Sequence, residues 1–210
     1  MTTAPQTPTA VPPAAEPDAA AVVRAHLLAS SALKQRIATL LDTATAQAAA
    51  LITEALAGGH KVLVCGNGGS AADAQHFAGE MVGRFKRAGR AALPVLALTT
   101  DTTVLTCVGN DFSFEEIFSR QVEAFAQPGD VVVGLSTSGR SPNVLRALDA
   151  ARAAGAHTIA LLGGDGGPAA ALAEIALVIP ATDPARIQEC HITLIHALCD
   201  LVETEILRRA

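Results

Sequence analysis

The sequence predicts a doubly wound α/β fold, in which helices cover both faces of a five-stranded parallel sheet. Beyond residue 60, short apolar runs alternate with longer segments whose apolar residues recur every three or four positions. The short runs are apolar throughout, which is typical of strands that are buried on both faces. Strands and helices that alternate along a chain form parallel sheets.

The chain begins with a proline-rich stretch, residues 1–17, that we predict to be a disordered tail. Five prolines among Ala and Thr remove backbone donors and block helix propagation. We therefore place the folded domain at residues 18–210, and we expect it to open with a helical arm from Asp18 to about Ala57. Asp18 is a suitable N-cap, and a Gly-Gly pair ends the helical pattern. The apolar stripe of this arm must be buried, and a partner subunit is one candidate.

The remaining elements alternate as expected of such a sheet. The predicted strands are Lys61–Cys65, Pro94–Thr99, Asp130–Ser136, His157–Leu162 and Ile175–Ile179. The predicted helices are Ser70–Arg84, Phe114–Ala126, Pro142–Ala154 and Arg186–Leu207. In such folds ligands bind beyond the carboxyl ends of the strands, so the residues that follow each strand are the candidates for a site.

The composition argues against several classes of protein. A formal charge of -5 at pH 7 does not suit broad nucleic-acid binding, which usually requires a basic surface. The N-terminus lacks the pattern of a secretory signal, and no apolar stretch reaches about 18 residues, so we expect no membrane span. The four cysteines fit neither a zinc knuckle nor a CxxC redox motif. Free thiols suit a reducing compartment, and we predict a cytoplasmic protein.

The first predicted strand leads into a glycine-rich loop, Gly66-Asn67-Gly68-Gly69, and Ser70 then opens a helix. Glycine allows close approach of the backbone to a ligand, and the free amides at a helix start suit an anion. The loop is neither G-x-G-x-x-G nor a P-loop. A ligand-binding loop and a plain strand-to-helix turn are both consistent with it.

The third predicted strand leads into a loop crowded with hydroxyls, which reads STSGRSP over residues 136–142. Ser141 is a suitable N-cap, and Pro142 is a suitable first helical residue. One serine is enough for capping, so the other three hydroxyls favour a neutral cradle for a phosphate dianion. A loop that serves capping alone is the alternative.

After the second predicted strand come two polar segments, Thr99-Thr100-Asp101 and Gly109-Asn110-Asp111. Their side chains suit hydrogen bonds to sugar hydroxyls, but residues of these types are equally common in ordinary turns. Both interpretations stay open.

Two helices carry residues that suit acid–base or metal chemistry. His76 and Glu80 are four residues apart and share one helix face. Such a pair binds a metal, sets a general base beside an imidazole, or is simply solvated. In the last helix, Gln188 and His196 are about 12 Å apart along the axis. They need long side chains, a bend or a second subunit to ligate one metal. His191 is interpreted as a core or surface histidine.

Four blocks together make the chain resemble the phosphoheptose isomerases, a family with the SIS (sugar isomerase) fold, from about residue 25 to residue 205. In chain order the blocks are CGNGGSAADAQHFAGE, LTTDTTVLTCVGND, GLSTSGRSPNVLRAL and RIQECHITLIHALCD. The resemblance implies the SIS fold and an aldose–ketose isomerase. Its implied reaction converts sedoheptulose 7-phosphate to D-glycero-D-manno-heptose 7-phosphate through an enediol, the first step of nucleotide-activated heptose biosynthesis.

The resemblance also implies roles for individual residues. Glu80 matches the family's catalytic base, and His196 matches its acid–base partner. The implied substrate-binding residues are Asn67, Gly68, Gly69, Ser70, Glu80, Asn110, Asp111, Ser136, Thr137, Ser138, Ser141 and Gln188. Zn²⁺ is implied at a metal site made of His76, Glu80, Gln188 and His196. The implied assembly is a homotetramer with active sites at subunit interfaces.

Two other functions stay open at this stage. One is a non-catalytic SIS adaptor that binds a replication initiator protein, because a tetrameric relative of that kind shares the CGNG and ARIQE blocks. That relative keeps neither an acidic residue at position 80 nor an imidazole at position 196, whereas this chain has both. The other is a different sugar-phosphate-binding SIS protein, which would share the serine-rich loop but not the residues of the implied metal site.

Overall fold

The computed structural model describes residues 18–209, and the predicted tail at residues 1–17 lies outside them. The strands are β1 (Val62–Gly66), β2 (Val95–Ala97), β3 (Val131–Ser136), β4 (His157–Gly163) and β5 (Ile175–Ile179). They form one sheet in the order β2-β1-β3-β4-β5, and every neighbouring pair is parallel. The predicted five-stranded, doubly wound α/β fold is confirmed.

Helices connect and flank these strands. They are α1 (Ala19–Leu40), α2 (Asp42–Ala57), α3 (Gly69–Val82), α4 (Thr102–Asp111), α5 (Ser119–Phe125), α6 (Pro142–Ala153), α7 (Gly167–Leu172) and α8 (Pro184–Arg209). A 3-10 turn, Phe114–Glu116, precedes α5. No helix between residues 18 and 209 has both the length and the apolarity that crossing a bilayer requires.

The sheet divides the core into two layers because successive residues of a strand face opposite sides. In β1, Val62 and Val64 pack into the layer under α2, α3 and α8, whereas Leu63 and Cys65 pack into the layer under α5, α6 and α7. These four side chains are fully buried. Burial on both faces explains why the strands are apolar throughout.

The predicted helical arm is two helices rather than one, and the break falls at Leu41. Leu41 leaves helical geometry at φ −119° and ψ 3°, and its side chain is buried in the core. Asp42 then opens α2, and its carboxylate accepts a hydrogen bond from the amide of Thr43 at 2.6 Å. The continuous helix predicted over this arm is therefore wrong at one point, Leu41, which is buried but not helical.

Two short helices that the sequence did not predict follow β2 and β4. The helix α4 begins at a side-chain cap, because Asp101 accepts a hydrogen bond from the amide of Val104 at 3.0 Å. The helix α7 lies among glycines and has a proline in its first turn. The predicted helix Phe114–Ala126 is also corrected, since a 3-10 turn replaces its first turn and α5 begins at Ser119.

The strand order reverses between β1 and β3, and this is the point that positions the site. The two strands are neighbours, with Gly66 paired to Leu135 near their carboxyl ends. The glycine loop after β1 and the hydroxyl loop after β3 therefore lie side by side. Open α/β sheets bind ligands in the crevice at such a reversal.

Candidate active site

A pair of amides ties the glycine loop to the hydroxyl-loop side of the crevice. The side chain of Asn67 donates to Oδ1 of Asn143, and Nδ2 of Asn143 donates back to Oδ1 of Asn67, both at 2.8 Å. Asn143 is buried in the first turn of α6. It was not predicted as a site residue, because its partner is 76 positions away and no local pattern marks the pair.

The glycine loop lies against α8. Gly68 has φ +55°, in the left-handed region that favours glycine. A Cβ added at Gly69 would lie 2.5 Å from the side-chain amide nitrogen of Gln188, so the absence of a side chain lets α8 approach the loop. Ser70 is buried at the start of α3. The structure thus brings Gln188 to the predicted substrate loop.

The hydroxyl loop is a cluster of serines beside the start of α6. Ser136 Oγ is 3.0 Å from Ser141 Oγ and 3.5 Å from Ser138 Oγ. Ser141 occupies the predicted N-cap position, but its side chain makes no capping hydrogen bond. Its hydroxyl contacts Ser136 instead. The Ser141 hydroxyl therefore does not cap α6, and the phosphate cradle stays a prediction.

A cavity of about 760 Å³ opens beside the hydroxyl loop, within the range typical of small-molecule sites. Its lining includes Thr137 and Ser138 from the loop, residues 163–165 after β4, and segment 180–184 before α8. At its rim, Arg140 forms an ion pair with Asp165 at 2.6 Å. The cavity presents hydroxyls, and its one guanidinium is paired with a carboxylate of the same lining.

Three titratable side chains converge between α3, which carries two of them, and α8, which carries the third. His76 Nε2 is 3.1 Å from Glu80 Oε1 and 3.2 Å from His196 Nε2. One ligand atom from each residue lies within 4.8 Å of the other two, and within residues 18–209 they form the one such group of His, Cys, Asp or Glu. The predicted pairing of His76 with Glu80 is therefore present, and His196 joins it from 120 positions away.

The spacing of this group suits a zinc ion. Two ligands held at about 2.0–2.1 Å from one tetrahedral zinc lie about 3.3 Å apart, close to the two short separations in this group. Two imidazoles and one carboxylate are also a donor set that zinc accepts in catalytic sites. The residues present therefore fit the metal. Gln188 lies eight residues before His196 on α8 and stays a predicted fourth ligand.

Phe85, in the segment after α3, packs on this group. Its ring stacks on the imidazole of His196 with centroids 5.4 Å apart and an interplanar angle of 21°. The ammonium of Lys86 lies 4.9 Å from the centroid of the same ring. Phe85 was not predicted, because a lone aromatic in a polar segment carries no signal of the helix that it contacts.

Asp73 lies one turn before His76 on α3 and is partly buried. Burial raises the pKa of the Asp73 carboxyl, and the charge of nearby His76 opposes this effect. An acid with a raised pKa beside the convergent group adds to the features expected of an active site.

Asn110 and Asp111, the second predicted substrate-binding pair, are exposed at the end of α4. The side chain of Asn110 donates to Asp111 Oδ1 at 2.8 Å, and Cys107 Sγ lies 3.5 Å from Asp111 Oδ2. The hydrogen bond with Asp111 raises the pKa of the Cys107 thiol. These bonds lie within α4 and do not reach the two loops, so the substrate role of the pair stays a prediction. Asp101 has a local role as the N-cap of α4.

Comparison with known proteins identifies the family. A SIS-domain family model matches residues 26–163 of the chain. The phosphoheptose isomerase of Geobacter sp. (strain M21) is 55% identical over 186 residues, which cover 89% of this chain and 94% of that protein. This chain belongs to the phosphoheptose isomerase family.

Solved structures of the family share the fold. The phosphoheptose isomerase of Neisseria gonorrhoeae has a TM-score of 0.84 and 47% identity, covering 89% of this chain and 100% of that one. The phosphoheptose isomerase of Francisella tularensis has a TM-score of 0.86 and 37% identity, covering 89% of this chain and 99% of that one. The phosphoheptose isomerase family therefore accounts for both the sequence blocks and the architecture.

Proposed function

We propose that this protein is a phosphoheptose isomerase that converts sedoheptulose 7-phosphate to D-glycero-D-manno-heptose 7-phosphate. The observation that carries the proposal is the convergence of His76, Glu80 and His196 between α3 and α8. The chain's relatives are named for this activity at 55% identity over most of their length. The product would enter the synthesis of nucleotide-activated heptoses.

The reaction moves one proton between two neighbouring carbons of the sugar. We assign Glu80 as the base that removes a proton from C1 of the ketose and returns it to C2 of the enediol. The hydroxyl proton must move from the oxygen on C1 to the oxygen on C2, and we assign this transfer to His196. Proton count and charge are then unchanged between ketose and aldose.

Substrate binding is assigned to the two loops. The hydroxyl loop, with Ser136, Thr137, Ser138 and Ser141, would hold the phosphate at the start of α6, where hydroxyls and the helix terminus favour an anion. The glycine loop and Gln188, which lie against each other at the end of β1, would contact the sugar. Asn110 and Asp111 are proposed to bind sugar hydroxyls.

Zinc is proposed as a cofactor held by His76, Glu80 and His196, with Gln188 as the fourth ligand. The convergence of the first three side chains supports the proposal. When bound, the ion would act as a Lewis acid towards the carbonyl oxygen of the substrate. Turnover measured with and without zinc distinguishes an enzyme that needs the metal from one that does not.

We also propose a homotetramer in the cytoplasm. Exposed Val22, Val23, Leu27 and Leu28 make much of the surface of α1 apolar, and a second copy would bury it. All four cysteines are free, which suits a reducing compartment. A molar mass of one chain in light scattering would contradict the homotetramer. Enrichment outside the cytosolic fraction would contradict the cytoplasmic location.

The adaptor function is not favoured. Both side chains that the adaptor relative lacks, Glu80 and His196, are present and lie in one cluster with His76. The curated relatives are named as isomerases.

Turnover of sedoheptulose 7-phosphate tests the proposed function. The purified protein is incubated with the ketose after chelation, with and without added zinc, and aldose formation is followed by NMR. We expect aldose to form, and to form faster when zinc is restored. If a folded protein that still binds the sugar phosphate shows no turnover in either condition, the proposed isomerase activity is overturned. Equal turnover in both would overturn the zinc requirement alone.

A further inference from the structure

A buried ion pair lies next to the convergent group of His76, Glu80 and His196, and it is not part of either substrate loop. Arg90 Nε is 2.8 Å from Glu203 Oε1, and the two side chains are 1% and 0% exposed. Glu203 is on α8, seven residues after His196, so both residues lie on one face of that helix. Arg90 ends the segment that follows α3, residues 83–90, which we call the α3 strap.

The side chain of Glu203 holds the backbone of the α3 strap. The carboxylate accepts hydrogen bonds from the amides of Phe85, Lys86 and Arg87 at 3.2, 2.8 and 2.9 Å. Burial raises the pKa of the Glu203 carboxyl, but these hydrogen bonds and the one from Arg90 outweigh it, and the pKa lies below its usual range. The bonds seat Phe85, whose ring stacks on His196.

Arg90 contacts the other working residue, Glu80, through the backbone at the end of α3. Its Nη2 donates to the carbonyl of Glu80 at 2.6 Å, and its Nη1 donates to the carbonyl of Met81 at 2.7 Å. Carbonyls in the last turn of a helix lack intrahelical partners, so a guanidinium fork is well suited to fixing them. One ion pair therefore contacts the backbone of Glu80 and seats the ring that packs on His196.

We propose that Arg90 and Glu203 are positioning residues, which set Glu80 and His196 at the separation that metal binding and proton transfer require. The inference rests on the proposed function, because it takes those two side chains as the working groups. A buried ion pair is weak evidence for stability, since well-packed apolar residues often replace one without loss. Its hydrogen bonds to both sides of the convergent group give it a functional explanation, as for the outer partners of metal ligands.

The matched control is Asp130, a second buried carboxylate of the same kind. It accepts hydrogen bonds from the amides of Lys61 and Gln127 at 2.9 and 2.8 Å and pairs with the ammonium of Lys61 at 2.6 Å. Its carboxyl pKa also lies below the usual range: burial raises it, and these hydrogen bonds outweigh that effect. Asp130 lies at the amino end of β3, away from the loops. Glu203→Gln and Asp130→Asn thus remove comparable buried charges, one bonded to the α3 strap and the other to Lys61 and Gln127.

The experiment compares these two variants with the parent protein. Readouts are kcat and KM for sedoheptulose 7-phosphate, zinc affinity from competition with a chromophoric chelator, and Tm. We expect both variants to lower Tm. Glu203→Gln alone should lower zinc affinity and kcat, each by about 10- to 100-fold, the range seen for outer partners of metal ligands. KM should change by less than about threefold, because the substrate loops are untouched.

Losses of kcat and zinc affinity that are the same in both variants, or absent from Glu203→Gln, would overturn the positioning role. If Glu203→Gln does not fold, Phe85→Leu carries the test, because it keeps an apolar side chain at a half-buried position. It should lower zinc affinity, and an unchanged affinity would overturn the role. A parent protein that binds zinc without turnover would overturn the proposed function and leave the zinc readout to decide the positioning role. A parent protein that neither binds zinc nor turns over the substrate would overturn both the proposed function and the positioning role.

Discussion

Glu80 shows how far residue-level prediction reaches. Its spacing from His76 placed both on one helix face, and their side chains lie 3.1 Å apart. The inclusion of His196 came from the family resemblance, because no local pattern links positions 120 apart. The spacing of Gln188 and His196 argued against a simple metal site on α8 alone. The structure places Gln188 against Gly69, and its role as a fourth ligand stays a prediction. Local geometry was predictable, and long-range convergence was not.

His191 is a core histidine, which settles an interpretation that the sequence left open. It is fully buried on α8, and its Nε2 lies 3.1 Å from the carbonyl of Leu162. Burial lowers the pKa of His191 to about 4, and the hydrogen bond with Leu162 opposes this shift. The unfolded chain therefore gains a proton near pH 6.5 that the folded protein gains only near pH 4. Stability should fall as the pH is lowered between these values.

Replacement of His191 by glutamine should flatten this pH dependence. Glutamine is neutral throughout and keeps a side-chain donor. Between pH 7 and pH 5, the free energy of unfolding of the parent protein should fall by about 2 kcal/mol more than that of His191→Gln. Urea denaturation at the two pH values measures both slopes. Parallel slopes would show that the folded protein protonates His191 as readily as the unfolded chain does.

At the scale of elements, the sequence predicted strands better than it predicted connections. All five strands were found within three residues of their predicted bounds, since runs that are apolar throughout have one explanation in an α/β chain. The helices α4 and α7 were missed because threonines and glycines carry weak helical signals. The break at Leu41 was missed because the helical apolar pattern continues through it.

The tight approach of the hydroxyl loop to the turn before α7 gives a prediction at this scale. Gly139 has φ +64°, and a Cβ there would lie 2.0 Å from the carbonyl oxygen of Gly166. Gly139→Ala must therefore displace the loop. We expect the Kd for sugar phosphate, measured by calorimetry, to rise about tenfold or more, equal to about 1.4 kcal/mol of lost binding.

The matched control is Gly59→Ala, at φ +81° in the turn between α2 and β1, where nothing lies within 4 Å of an added Cβ. It should cost roughly 1–2 kcal/mol of stability, the usual cost of a left-handed alanine, and leave the Kd unchanged. Equal effects of both substitutions on the Kd would mean that backbone strain, rather than the approach to Gly166, governs the loop.

At the scale of the whole molecule, alternation of strands and helices was enough to predict a doubly wound sheet. It did not give the strand order, which places the glycine and hydroxyl loops side by side. The rule that ligands bind beyond the strand ends nevertheless pointed to both loops. The structure supplies what the rule cannot, namely the amide pair between Asn67 and Asn143 and the approach of α8 to Gly69.

Transfer of the carbon-bound proton by Glu80 is the central claim, and deuterium incorporation tests it most directly. Sedoheptulose 7-phosphate is incubated in D₂O with the parent protein or Glu80→Gln, and NMR follows solvent deuterium at C1 of the ketose and C2 of the aldose. The parent should incorporate deuterium, whereas Glu80→Gln should bind the substrate and incorporate none above background. Incorporation by Glu80→Gln at the parent rate would assign the base to another residue and contradict the account.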